Sequence, residues 1–147
     1  MKQKMKRKQK ISRQKNQKIS EEKAEGWWLL HFDGSAGREG AGAGICITSP
    51  NDESKFFSCK LNFDCTNNMA EYESLFLGLE ILKRMGAQNI YVCGDSELVI
   101  KKFESVYQTK DVRMRAYRNL IMDMLENFQE YSFIMKTRDL LVTLISY

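Results

Sequence analysis

A chain of 147 residues with 43% hydrophobic and 29% charged side chains is sized for one compact soluble domain with a modest extension, not for two domains. The longest apolar run near either end, Leu140–Ile145, falls far short of the roughly 20 residues that span a bilayer, and the basic start is not followed by the apolar stretch of a signal peptide. Neither a membrane span nor secretion is expected. Nine of the 23 basic residues lie within the first 18 positions, so the formal charge of +4 hides a remainder of 14 basic against 19 acidic residues, near −5. A nucleic-acid partner would meet a basic arm on an acidic body, whose phosphate contacts must come from local basic clusters.

Residues 1–25 hold Lys, Arg, Gln, Asn and Ser with two isolated Ile and no aromatic residue, and are expected to form a disordered basic tail. The domain is expected over residues 26–147. From Trp27 to Phe32 the sequence reads as a buried strand, ended by the turn chemistry of Asp33-Gly34-Ser35. Gly37, Gly40, Gly42 and Gly44 precede a second strand, Ile45 to Thr48, closed by Ser49-Pro50-Asn51-Asp52. This pattern predicts a hairpin. The glycines miss the G-x-G-x-x-G spacing of a dinucleotide site, and their bare backbone suits close strand packing or substrate approach.

A third strand is expected from Lys55 to Leu61. Apolar residues at 69, 72, 75, 76, 79, 82 and 85 then take the spacing of an amphipathic helix that Gly86 terminates. Ile90 to Cys93 reads as a strand stopping at Gly94-Asp95-Ser96, and Leu98, Val99 and Phe103 suggest a brief helix. Asp111 caps a longer helix with Tyr117, Leu120, Ile121, Met124, Leu125 and Phe128 in one stripe, and Tyr131 to Lys136 supplies a last strand. Three hairpin-linked strands followed by helical crossovers predict an α/β domain with a mixed sheet, antiparallel first and parallel after. Cys46, Cys59, Cys65 and Cys93 match neither paired-thiolate zinc spacing nor a redox pair, and read as reduced core thiols.

Asp33, Glu71 and Asp95 are the candidate catalytic residues. Two strand-end aspartates and one helix-start glutamate, separated by 38 and 24 positions, can meet only through folding, outside the carboxyl ends of neighbouring strands. Carboxylates so placed repel one another unless cations intervene. Mg²⁺ suits hard oxygen donors, and two ions roughly 4 Å apart could activate a water and stabilise the departing oxygen of a phosphodiester. Singly, each acid also has a plainer reading: Asp33 as a turn residue, Asp95 as a helix cap, and Glu71 as the partner of Asn68 in a capping box.

Phe32-Asp33-Gly34-Ser35, Thr66-Asn67-Asn68-Met69-Ala70-Glu71-Tyr72-Glu73 and Gly94-Asp95-Ser96-Glu97-Leu98-Val99, in this order and at these intervals, strongly resemble the reverse-transcriptase-associated ribonuclease H domains of plant-type retrotransposons. The match covers roughly residues 27–139. The resemblance implies a five-stranded mixed sheet with helices on both faces, and a monomeric endonuclease that cuts the RNA strand of RNA–DNA hybrids with two Mg²⁺ or Mn²⁺ ions. It implies metal ligation by Asp33, Glu71 and Asp95, and contact with the hybrid at Gly34, Ser35, Asn67 and Asn68. Lys101, Lys102, Arg113, Arg115 and Arg118 are the candidate phosphate contacts, against the plainer reading of a solvated helix face.

The sequence departs from the family near its end. The family's His, Asn and fourth Asp fall at Met135, Leu141 and Ile145, so the final helix is expected to be missing and residues 141–145 to be a decayed element. A frameshifted or misannotated tail is the other reading of residues 141–145, and the loss implies a weakened second metal site and an uncovered sheet face. The alternatives are a catalytically dead nucleic-acid-binding remnant and an unstable fragment. His31, the only histidine, shares a strand face with Asp33 and cannot replace the missing one. The tail permits the nucleus, and a retroelement origin equally permits the cytoplasm.

Overall fold

Alternating small and apolar residues build the first three strands. Trp27–Gly37 (β1) and Gly40–Thr48 (β2) pair antiparallel about a turn at Arg38 and Glu39, and β2 pairs with Ser54–Leu61 (β3). The computed structural model describes residues 25–94, 112–136 and 141–145. The helices are Asn67–Arg84 (α1) and Val112–Leu125 (α2), and the remaining strands are Asn89–Gly94 (β4), Glu130–Lys136 (β5) and Leu141–Ile145 (β6). They form one sheet in the order β3-β2-β1-β4-β5-β6, with β1, β4 and β5 mutually parallel.

The five expected strands are therefore present in the expected mixed arrangement. The sixth was not anticipated: Leu141–Ile145 pairs antiparallel with β5, after a register shift at Phe133 and Ile134. A short β-branched run gains its ladder hydrogen bonds from a neighbouring edge. The brief helix around Leu98 lies outside the described residues, as does the Asp111 cap. No described helix is long and apolar enough to cross a membrane.

α1 begins with Thr66, whose hydroxyl accepts from the Met69 N–H at 3.1 Å. It ends where Gly86, at φ +79°, lets the chain turn back, with Gly86 N bonded to Lys83 O and Ala87 N to Leu82 O. One side of the helix buries Tyr72, Leu75, Leu79 and Leu82 against Leu30, Phe32, Ile45 and Ile47 of the sheet. Each such side chain contributes roughly 1.5–3 kcal/mol by leaving water. α2 adds Ile121 and Leu125, and Phe128 follows, but Leu120 is 52% exposed and falls off the expected stripe.

The opposite face is not left bare over β4 and β5. Trp27 stacks on Tyr91 with ring centroids 4.4 Å apart, and both are buried with Cys93 and Ile134. Cys93 is the only one of the four free thiols that is buried; Cys59 is exposed and Cys46 and Cys65 are intermediate. The reading of all four as core residues is thereby corrected, because Cys59 lies on the largely exposed edge strand β3.

Two glycines set how closely α1 approaches β1. A Cβ on Gly34 would stand 2.6 Å from Glu71 N and closer still to the Ala70 carbonyl, and one on Gly78 would meet the Leu30 methyls at 2.6 and 2.9 Å. Gly34→Ala meets rigid backbone, so it is expected to lower the unfolding free energy by about 2–3 kcal/mol, whereas Gly78→Ala, opposed by a side chain able to shift, costs less. Urea denaturation of both variants measures the difference.

Candidate active site

Asp33 does not end a strand. β1 runs on through Gly37, with Asp33 paired to Gly44 and Ser35 to Gly42. The turn reading of Asp33-Gly34-Ser35 is thus overturned: Gly34 has extended backbone, and its missing side chain serves the close approach of α1. Asp33 is exposed on the sheet face opposite α1, with Ser35 beside it and a half-buried His31 two residues back. Alternation along the strand produces this division, since Leu30, Phe32 and Gly34 point the other way and are buried.

Glu71 is not part of a capping box. The cap is Thr66, two residues before Asn68, and the residue three beyond it is Met69, so Glu71 sits in the second turn of α1, half-buried. The Ser74 hydroxyl donates to the Glu71 carbonyl at 2.7 Å. Because Gly34 lies against Ala70 and Glu71 N, Asp33 and Glu71 are next neighbours of one backbone contact. A second tie holds the same junction, where the Ala36 N–H donates to Asn67 Oδ1 at 2.7 Å. Asn67 is exposed and Asn68 half-buried at this helix start.

Asp95, Lys101 and Lys102 lie outside the described residues. Gly94, which precedes Asp95 in the chain, pairs with Phe32, which precedes Asp33. Among the described residues no group of three or more His, Cys, Asp or Glu side chains is gathered as a metal cluster. Asp33 and Glu71, one residue either side of the Gly34–Ala70 backbone contact, carry the hard oxygen donors that Mg²⁺ or Mn²⁺ accepts. Arg113 and Arg115 are exposed on α2. Arg118 is not: it is 6% exposed, and its charge acts on Tyr72 and Tyr131. It belongs to the interior.

Behind Glu71, α2 is fastened to α1 by aromatic contact. Tyr72 stacks on Tyr117 at 5.7 Å, and the Tyr117 hydroxyl donates to Glu73 Oε1 at 2.8 Å. Burial raises the Tyr72 pKa to about 12, opposed by Arg118 and assisted by Glu71. Burial and the Glu73 bond push Tyr117 up as well.

Two adjoining hollows, of about 400 and 560 Å³, open on the face that carries Asp33 and share Asp33, Gly44 and Ser58. Phe56, Ser58 and Lys60 of β3 line them and were not singled out from sequence. The signal was present in the β2 glycines, because antiparallel pairing sets Gly42 against Lys60 and Gly44 against Ser58.

A family model described as Reverse transcriptase-like matches residues 31–140. Ribonuclease HI of Halobacterium salinarum is 36% identical over 67 residues, covering 46% of this chain and 34% of that protein. The chain therefore spans about a third of the length of that curated relative. The crystal structure of RNase H1 from Halobacterium salinarum superposes with a TM-score of 0.65 at 26% identity, covering 76% of this chain and 86% of the other. LC11-RNase H1, isolated from compost and crystallised in complex with an RNA/DNA hybrid, superposes with a TM-score of 0.64 at 26% identity, covering 76% and 86%.

The raised tyrosine pKa gives this region a pH signature. A buried phenol keeps its proton longer in the fold than in the unfolded chain, so its contribution is complete below about pH 10 and is lost as pH rises toward about 12. The urea midpoint is expected to fall over that window, and to fall less in Tyr72→Phe.

Proposed function

This chain belongs to the Reverse transcriptase-like family and shares the ribonuclease H fold, and on that premise we propose that it is an endoribonuclease hydrolysing the RNA strand of RNA–DNA hybrids. The observation that supports this reading is the contact of the Gly34 backbone, next to Asp33, with Ala70 and Glu71 N of α1. Asp33 and Glu71, with Asp95 following Gly94, are the residues that would hold two Mg²⁺ or Mn²⁺ ions. Such ions supply a nucleophile at neutral pH and stabilise the charge on the leaving oxygen.

The chain's own groups supply recognition. Ser35 is exposed beside Asp33, and Asn67 and Asn68 start α1 at the same junction. Polar groups there suit contact with 2′-hydroxyls, the feature that separates an RNA strand from DNA. Gly34, buried beneath α1, lets the helix approach. Arg113 and Arg115, with Lys101 and Lys102, are assigned to phosphates, which would make binding steeply salt-dependent. The H. salinarum relative named Ribonuclease HI and the LC11 hybrid complex support the assignment.

One observation favours a weaker variant of the same reading. Leu141–Ile145 forms β6 against β5, and Met135, Leu141 and Ile145 supply no polar donor where the resembled family has three. Binding without cutting is the alternative this supports. Purified protein with Mg²⁺ or Mn²⁺ is expected to cleave a labelled hybrid, with Asp33→Asn and Glu71→Gln each lowering the rate at least about 100-fold. Salt-dependent hybrid binding with no cleavage would replace the nuclease by the binding module, and neither binding nor cleavage would overturn both.

A further inference from the structure

We infer that the trough beside Asp33 holds an unpaired stretch of nucleic acid continuous with the hybrid, with Phe56 as the platform on which one of its bases stacks. The inference rests on the hybrid reading above. Strand register and alternation place three rows on one sheet face: Ser35, Gly42 and Lys60; Asp33, Gly44 and Ser58; His31, Cys46 and Phe56. The middle strand thus contributes two glycines and a cysteine, and the two hollows over it meet at Asp33. A floor with two glycines admits the close approach of a sugar–phosphate strand there.

Phe56 is 79% exposed on this uncovered part of the sheet, a costly position for a phenyl ring. It stands two strand spacings from β1, roughly 10 Å across the sheet. An aromatic face near a lysine and a bare floor is the combination that binds single strands, through base stacking and a phosphate contact. The interior of a duplex cannot use it, since its base faces are already stacked on one another. Continuity decides the occupant, because the trough shares Asp33 and Ser35 with the site that would take the hybrid.

The test compares a blunt hybrid with hybrids bearing an RNA or DNA overhang of about four nucleotides at either end, by fluorescence anisotropy in Glu71→Gln protein so that the RNA stays intact. One overhang is expected to bind about tenfold tighter than the blunt hybrid. Phe56→Ala and Phe56→Leu collapse that ratio toward one and Phe56→Trp retains it, while Lys60→Gln lowers the salt dependence of the overhang complex by about one phosphate contact. Equal affinities for every end would overturn the trough assignment and leave the hybrid reading standing. No binding to any hybrid would overturn both. Concentration-dependent self-association abolished by Phe56→Ala would also contradict the assignment, by showing that a second copy covers the ring.

Discussion

The close approach of β1 and α1 at Gly34 is the constraint on which the site depends. The two elements are separated in sequence by a whole hairpin and a third strand, yet the second turn of α1 lies directly on the β1 backbone there. Any side chain at Gly34 would displace the helix start and move Glu71 away from Asp33. The neighbouring bond from Ala36 N to Asn67 Oδ1 and the Thr66 cap fix the same turn. Farther along, Gly78 against Leu30 makes a second close contact, so the helix axis is defined at two points.

Strand alternation then divides the labour of the sheet. Residues 41, 43, 45 and 47 of β2 are buried on the α1 side, and the glycines between them keep the other side low. The apolar interior and the site are thus built from interleaved positions of the same strands. A substitution that adds volume at Gly42 or Gly44 would obstruct the trough while leaving the core residues unchanged. The Trp27, Tyr91, Cys93 and Ile134 cluster shows that this face also carries buried packing over β4 and β5. The two hollows that carry Asp33 lie at the β1–β3 end.

Much of this was legible from periodicity. The α1 stripe, the Gly86 terminator, the hairpin and the mixed order of strands follow from spacing that local chemistry enforces. Most of the differences come from contacts distant along the chain. Asp33-Gly34-Ser35 has the composition of a turn, and only the arrival of α1 explains the glycine. Asn68 and Glu71 have capping-box spacing, but the helix starts at Thr66. Arg118 reads as a surface cation, and burial between α2 and the tyrosines makes it an interior one. Leu141–Ile145 looked like a remnant because its partner, the β5 edge, is not visible in a linear pattern. The three acids stand out by order and interval; the structure sets the Gly34 backbone against Ala70 and Glu71, and Asp95 lies beyond the described residues.

The central claim is that Asp33 and Glu71 share a divalent cation. Calorimetric titration with Mn²⁺ of the unaltered protein, Asp33→Asn, Glu71→Gln and the double variant tests it most directly. Shared ligation predicts that each single substitution removes nearly as much binding free energy as the pair, a strong departure from additivity. Additive losses, or Mn²⁺ affinity indifferent to both residues, would contradict it.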